Sequence, residues 1–257
     1  MSEVYELTRG LERIKSVIFE MKKNLPRPLI VGVAGGSGSG KTTKVAKKIE
    51  EMFSGAKVLG MDDYIRGQGF MTRIGSCNWD EPHVYDLDLL QQHLKTLKRG
   101  ASIQKPVYSF SQARRLGYRS FGPHGIIVLE GLLALYPGIV EQLDLKIFVD
   151  IAVHGSLMRR ILRDVARTGQ TEEQILEQYV TSVYPMFRQH IEPTKKSANI
   201  IIINQYMPEI EATGCESREI QIKVVPPEGP IEEKLKNLGF AMMGAVFQED
   251  TYFLAPN

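Results

Sequence analysis

Leu29-Ile30-Val31-Gly32-Val33-Ala34-Gly35-Gly36-Ser37-Gly38-Ser39-Gly40-Lys41-Thr42 is the stretch on which the fold turns. Its first six residues are apolar and partly β-branched, the composition of a strand buried on both faces. Its last eight fit the spacing G-x-x-x-x-G-K-[ST], and residues 42–53 read as a helix. Phosphate oxygens carry dense negative charge. Backbone N–H groups of a glycine-rich loop can turn inward around them, because glycine tolerates positive φ and close approach. The helix that follows adds its positive dipole end. Gly35, Gly36, Ser37, Gly38, Ser39, Gly40, Lys41, Thr42 and Thr43 are therefore the expected ATP cradle. Lys41 would reach the β- and γ-phosphates, and Thr42 would hold Mg2+. A Gly/Ser linker is the competing reading, but linkers are not set between a core strand and an amphipathic helix.

Outward from this stretch, short apolar runs recur at 56–60, 126–129, 146–149 and 199–203. Helical spacings lie between them, at 86–97, 154–167 and 172–190. Strands that alternate with helices and are apolar throughout predict an α/β fold with a parallel sheet covered on both faces. Upstream, Val4, Leu7, Leu11, Ile14, Ile18 and Met21 fall at helical spacing until Pro26 and Pro28 end the run. Residues 61–82, rich in Gly, Asp and aromatics, read as a long loop. Beyond Asn204 the pattern changes to strand-like alternation at 218–225, a Pro/Gly turn, and a β-like stretch at 241–254. The expected organisation is an N-terminal helix (1–27), a main domain (28–204) and a short β-rich segment (205–257).

Composition removes several classes. With 32 Lys+Arg against 30 Asp+Glu the net charge is +2. That balance gives no field to draw nucleic acid or anionic lipid, so neither is expected as a partner. Two cysteines far apart exclude a disulfide framework and fit a reducing cytoplasm. The first 23 residues lack the apolar core of a signal peptide, and no window reaches the ~18 apolar residues of a membrane span. A homo-oligomer is left open.

A nucleotide cradle does not by itself choose a reaction. Kinase chemistry needs a metal-organising carboxylate, a base, an acceptor pocket and cations for the transferring phosphoryl group. Glu130 ends the 126–129 run, where ligands meet such sheets; a solvated strand-end acid is the alternative. Asp62 follows the 56–60 strand and is placed for a base, with Asp63 beside it; a turn aspartate is the alternative. Asp80, in Asn78-Trp79-Asp80-Glu81-Pro82, suits paired sugar hydroxyls or a capping turn. Tyr108 and Phe110 could wall a planar base or fill core. On a helical wheel Arg160, Arg163 and Arg167 share one arc, and Leu157, Met158, Ile161, Leu162 and Val165 share another. The expectation is a lid whose apolar side packs and whose arginines face the phosphates. Asp164, at the edge of the Arg arc, could tie one of them up.

Together these residues resemble the uridine kinase / phosphoribulokinase family, the uridine–cytidine kinases in particular. The likeness spans 28–204: GGSGSGKT at 35–42, MDDY at 61–64, NWDEP at 78–82, KPVYSF at 105–110, VLEG at 128–131, FVD at 148–150, RRILRD at 159–164 and PTKKSANIII at 193–202. It implies a three-layer P-loop NTPase fold with a five-stranded parallel sheet. It implies ATP and Mg2+ as cofactors and a nucleoside as small-molecule acceptor. It makes Asp62 the base, has Asp80 bind ribose hydroxyls, has Glu130 assist the metal, and makes Arg160, Arg163 and Arg167 lid or phosphate contacts. Tyr108 and Phe110 become pocket walls. The pattern departs at Ser109, where the family carries Asp, at Ala113, where it carries a pyrimidine-reading His, and at Thr168-Gly169-Gln170, where its lid often ends R-G-R. The phosphate machinery is kept while base recognition is altered.

The details are similar to a subgroup in which such a domain precedes a CYTH-type triphosphate tunnel. Glu219-Ile220-Gln221-Ile222-Lys223 resembles the opening ExExK strand, and 248–253 a later strand. Residues 206–257 would hold about three strands of an eight-stranded barrel, so an incomplete segment without tunnel activity is expected. Three functions remain: a kinase of a nucleoside hydroxyl, a nucleotide or pyrophosphate hydrolase, and a non-catalytic ATP-binding regulatory module.

Overall fold

A computed structural model describes residues 2–75 and 78–205. The expected C-terminal β segment therefore lies outside the described residues. The chain opens with β1 (Glu3–Glu6) and α1 (Leu7–Asn24), then β2 (Leu29–Gly35) and α2 (41–52). α2 is wound as a π-helix over Lys41–Ala46 and as an α-helix over Lys47–Met52. β3 (Ala56–Gly60), α3 (Gln68–Ile74) and α4 (Leu87–Lys98) follow. Next come β4 (Ile103–Ser109), β5 (Arg114–Phe121), β6 (Ile126–Glu130) and β7 (Leu145–Asp150). α5 (Val153–Thr168) precedes α6, which begins over Glu172–Gln178 and stays helical to Ile191; β8 (Ile200–Ile203) closes the described fold.

Six of the strands form one parallel sheet in the order β1-β8-β7-β2-β6-β3, and β4 and β5 form a separate antiparallel hairpin. The central strands β2 and β6 are buried along their whole length because both faces are covered. Leu29, Val31 and Val33 point toward Ile14 and Ile18 of α1 and Val45 and Ile49 of α2. Ile30 and Ala34 point the other way, into a cluster with Leu90, Leu94 and Leu97 of α4. Alternation across the pleat thus feeds two cores, and the result is a three-layer α/β/α fold.

The sheet has six strands where five are expected, because Glu3–Glu6 pairs with β8 instead of starting the helix. Val4 falls on the helical spacing, yet it is 59% exposed on this edge strand. Four residues are too few to separate a period of 2 from one of 3.6. Within the expected loop at 61–82 lies α3. Its flanking glycines, Gly67 and Gly75, take positive φ at the two caps, so residues that read as loop are the helix's boundaries.

Candidate functional site

The carboxyl ends of the strands line up. Glu130 at the end of β6 is in register with Val33 of β2 on one side and Gly60 of β3 on the other. From β2 the chain winds one way to β3 and β6 and the other way to β7 and β8. That topological switch is where open α/β sheets bind ligands.

The loop after β2 fills the crevice. Gly38 and Gly40 have φ of +75° and +86°, and a Cβ there would lie 2.8 Å from the Ser156 carbonyl and 2.6 Å from Asn204 Nδ2. Both positions are therefore closed to side chains. Ser39 is fully buried, and its carbonyl accepts from Asn204 Nδ2 at 2.6 Å. Lys41 Nζ donates to the Gly36 carbonyl at 3.3 Å and stands 4.0 Å from Glu130 Oε1. Thr42 Oγ1 donates to Glu130 Oε1 at 2.8 Å, so this hydroxyl and this carboxylate meet although they lie 88 residues apart. Thr43, in the same helical turn, is exposed.

Asp62 lies on a single 3-10 turn, Met61–Tyr64, directly after β3. Asp63 is engaged elsewhere: it pairs with Lys105 and accepts from the Tyr108 amide. Asp80 is carried by a turn in which its N–H donates to Asn78 Oδ1, an oxygen that also accepts from Ser182 of α6. Burial pushes the Asp80 carboxyl above its ordinary value, opposed in part by the charges of Arg160, Lys41 and Arg163. Asp80 thus feels the charges of Lys41, in the phosphate loop, and of Arg160, which bonds to that loop. Tyr85, a residue the sequence did not single out, is almost fully buried. Burial, and then the charges of Asp62, Asp80 and Glu130, drive its phenol well above the usual range. Asp62, Asp80 and Glu130 thus share one neighbourhood. Tyr108 and Phe110 meet edge to face at 5.2 Å, with Tyr108 partly covered and near Asp62 and Phe110 55% exposed.

α5 turns out opposite to expectation on one point. Its apolar stripe is outside: Leu162 is 65% exposed, and Met158 and Val165 are also open. Its polar stripe is inside, with Ser156, Arg160 and Asp164 all buried. A helical wheel separates two faces without saying which meets the protein. Here the polar face meets the glycine loop. Ser156 Oγ donates to the Ser37 carbonyl at 2.7 Å, and Arg159 Nη1 donates to the Gly38 carbonyl at 3.0 Å. Arg160 Nη1 reaches Ser37 Oγ at 3.2 Å, and Nη2 reaches Gln178 Oε1 at 3.0 Å. Its Nε is 3.4 Å from Asp164 Oδ2 without a hydrogen-bond partner among the described residues. Arg163 is held by Asp164 through two bonds, at 2.7 and 3.1 Å, as its neighbouring acid suggested. Arg167 sits on α5, but its side chain lies outside the described set. Ser156 and Arg159 escaped the sequence reading, although the i, i+4 steps 156–160–164 and 159–163 were available to find them.

The donor set fits an anion with a small hard cation. A cradle that a Cβ would fill, a buried guanidinium with an unspent N–H, and a hydroxyl–carboxylate pair converge on one crevice. Among the described residues no three His, Cys, Asp or Glu cluster to bind a metal alone. Mg2+ commonly takes one or two protein oxygens and the rest from water and phosphate.

The described family model for phosphoribulokinase / uridine kinase matches residues 30–211. Uridine kinase of Deinococcus deserti is 41% identical over 189 residues, covering 71% of this chain and 91% of that protein. Inorganic pyrophosphatase TTM2 of Arabidopsis thaliana is 37% identical over 219 residues, covering 80% of this chain but 31% of that protein. This chain therefore spans about a third of the plant relative. Among solved structures, D-glycerate 3-kinase from Cryptococcus neoformans superposes with a TM-score of 0.59 at 16% identity, over 76% of this chain and 95% of that one. Phosphoribulokinase from Rhodobacter spheroides gives 0.55 at 17%, over 67% and 68%. At such identities the superpositions speak for the fold.

Proposed function

The chain belongs to the phosphoribulokinase / uridine kinase family, and on that premise we propose that it moves the γ-phosphoryl group of ATP to a hydroxyl of a nucleoside such as uridine or cytidine. The observation that carries this reading is the meeting of the glycine cradle, the carboxylates Asp62 and Asp80, and the buried Arg160 at the carboxyl ends of the strands. Asp62 takes the proton of the acceptor hydroxyl while that oxygen attacks the γ-phosphorus in line and ADP departs. Lys41 and Arg160 stabilise the charge that spreads over the transferring group, with Arg163, and Arg167 on the same helix, behind them. Thr42 and Glu130 would hold Mg2+, which would supply further charge neutralisation to the phosphates. Asp80 accepts from the ribose hydroxyls, and Tyr108 and Phe110 wall the base.

Residues 28–204 are read as the kinase domain, and 205–257 as a CYTH-like segment. Two cysteines in the whole chain support a reducing, cytoplasmic setting. Among the described residues no helix is long and apolar enough to cross a membrane. The direct test offers ATP and Mg2+ with a panel of nucleosides. A nucleoside monophosphate is the expected product, and its absence with every member overturns the reading. One observation favours a second reading, hydrolysis of pyrophosphate or nucleotide: the similarity to the plant pyrophosphatase runs 219 residues, further than that to the uridine kinase. Steady phosphate release indifferent to added nucleoside would select it.

A further inference from the structure

The residues that follow Asp62 on its turn are tied to the β4–β5 hairpin. On its C-terminal side, the Arg115 guanidinium of β5 donates Nη2 to the Tyr64 carbonyl at 2.8 Å and Nε to the Ile65 carbonyl at 2.9 Å. Its Nη1 reaches Asp86 Oδ2 at 3.1 Å, and the Asp86 N–H donates to the same Tyr64 carbonyl at 2.9 Å. Immediately beside Asp62, the Asp63 carboxylate pairs with Lys105 of β4 and accepts from the Tyr108 amide at 3.2 Å. A third tie lies beyond: the Gln68 N–H donates at 2.7 Å to the carbonyl of Ala113, which holds φ +48° at the hairpin tip.

The turn itself is weak. It is four residues of 3-10 helix closed by the Ile65 N–H to the Asp62 carbonyl at 3.2 Å, a geometry that seldom sustains itself. We propose that Arg115 and Lys105 are positioning residues: the hairpin that carries the acceptor wall clamps the turn that carries the base. The proposal rests on the kinase reading, since it takes Asp62 as the base. The Tyr108 N–H is then bonded to the carboxylate of Asp63, the residue next to Asp62, and the acceptor's place is set relative to its proton acceptor. A guanidinium suits the task because its rigid planar fork holds donors toward two carbonyls and a carboxylate at once, whereas an ammonium carries its three donors on one point at the end of a flexible stem. A base displaced by about 1 Å costs on the order of a hundredfold in rate.

The test uses the full chain with Arg115→Met, Arg115→Lys and Lys105→Met. Three quantities are read: kcat and KM for uridine and ATP, calorimetric affinity for ATP, and amide hydrogen exchange across residues 61–66. Exchange there should quicken about tenfold or more. In the same variants kcat should fall about 10- to 100-fold, while ATP affinity and ATP KM stay at the parent value. Should Arg115→Met fail to fold, the other two variants carry the same readings. Unchanged exchange at 61–66 with unchanged kcat overturns the proposal. A fall in kcat matched by an equal loss of ATP affinity also overturns it, because Arg115 would then be holding up the whole fold. A parent protein that phosphorylates no nucleoside overturns the kinase reading and the positioning role with it, whereas an active parent whose variants match it in kcat and in exchange at 61–66 overturns the clamp alone.

Discussion

Asp80 carries a carboxyl whose ionised form its burial disfavours. Burial raises its carboxyl value, and Arg160, Lys41 and Arg163 restore it only in part. A carboxyl with a raised folded value binds its proton more readily in the folded chain than in the unfolded one. Stability therefore rises as pH falls through that raised value and is lower once the group ionises above it. The ionised form is the one that accepts hydrogen bonds from sugar hydroxyls. Asp80→Asn should thus raise the thermal midpoint at pH 7 while the nucleoside KM rises about 10- to 100-fold, the worth of hydrogen bonds to a charged acceptor. Melting curves beside Michaelis plots check it, and a lower midpoint with unchanged KM would refute it. Arg160 offers a second case. It spans Ser37 Oγ and Gln178 Oε1 and keeps a buried N–H unspent. Arg160→Lys retains the charge but not the span, so single-turnover transfer should slow by about a thousandfold or more. Near-parental rates would show that charge alone suffices.

How much of each element could be read depended on whether its signal was local. β3 is found at 56–60 as expected, because a short apolar run with β-branched residues between turn signals is complete in itself. α5 was legible as an amphipathic helix but not in its orientation. Leu162 lies outside and Arg160 inside because the neighbour of that helix is a loop of carbonyls and N–H groups, not an apolar sheet. α3 was hidden by the glycines that cap it, and β1 by its four-residue length. α1 was correctly amphipathic, with Ile14 and Ile18 fully buried against the sheet. Ile18→Ala should cost about 2–5 kcal/mol in denaturant unfolding, as for other buried aliphatic truncations. A loss well below that range would make α1 an accessory to the fold.

The described fold has three layers, and the two apolar faces of its sheet position a polar site at the carboxyl ends of the strands. Gly35 to Thr43 were legible from sequence because the cradle is a single contiguous motif whose mechanism dictates its spacing. Glu130 followed from its place at a strand end, and the bond from Thr42 spans the gap between them. The acceptor side was less legible because it is assembled across the chain. Asp80 depends on Asn78, Asn78 on Ser182 of α6, and Tyr85 lies among carboxylates drawn from three separate stretches. Residues of that kind have no spacing to read. Everything proposed for the site still requires that a nucleotide's phosphates rest in the bend between β2 and α2 against Lys41. Calorimetric titration of ATP with Mg2+ into the parent chain and into Lys41→Ala measures this directly. The account predicts saturable one-to-one binding, weakened about 10- to 100-fold in the variant; equal heats in both proteins, or no heat in the parent, would contradict it.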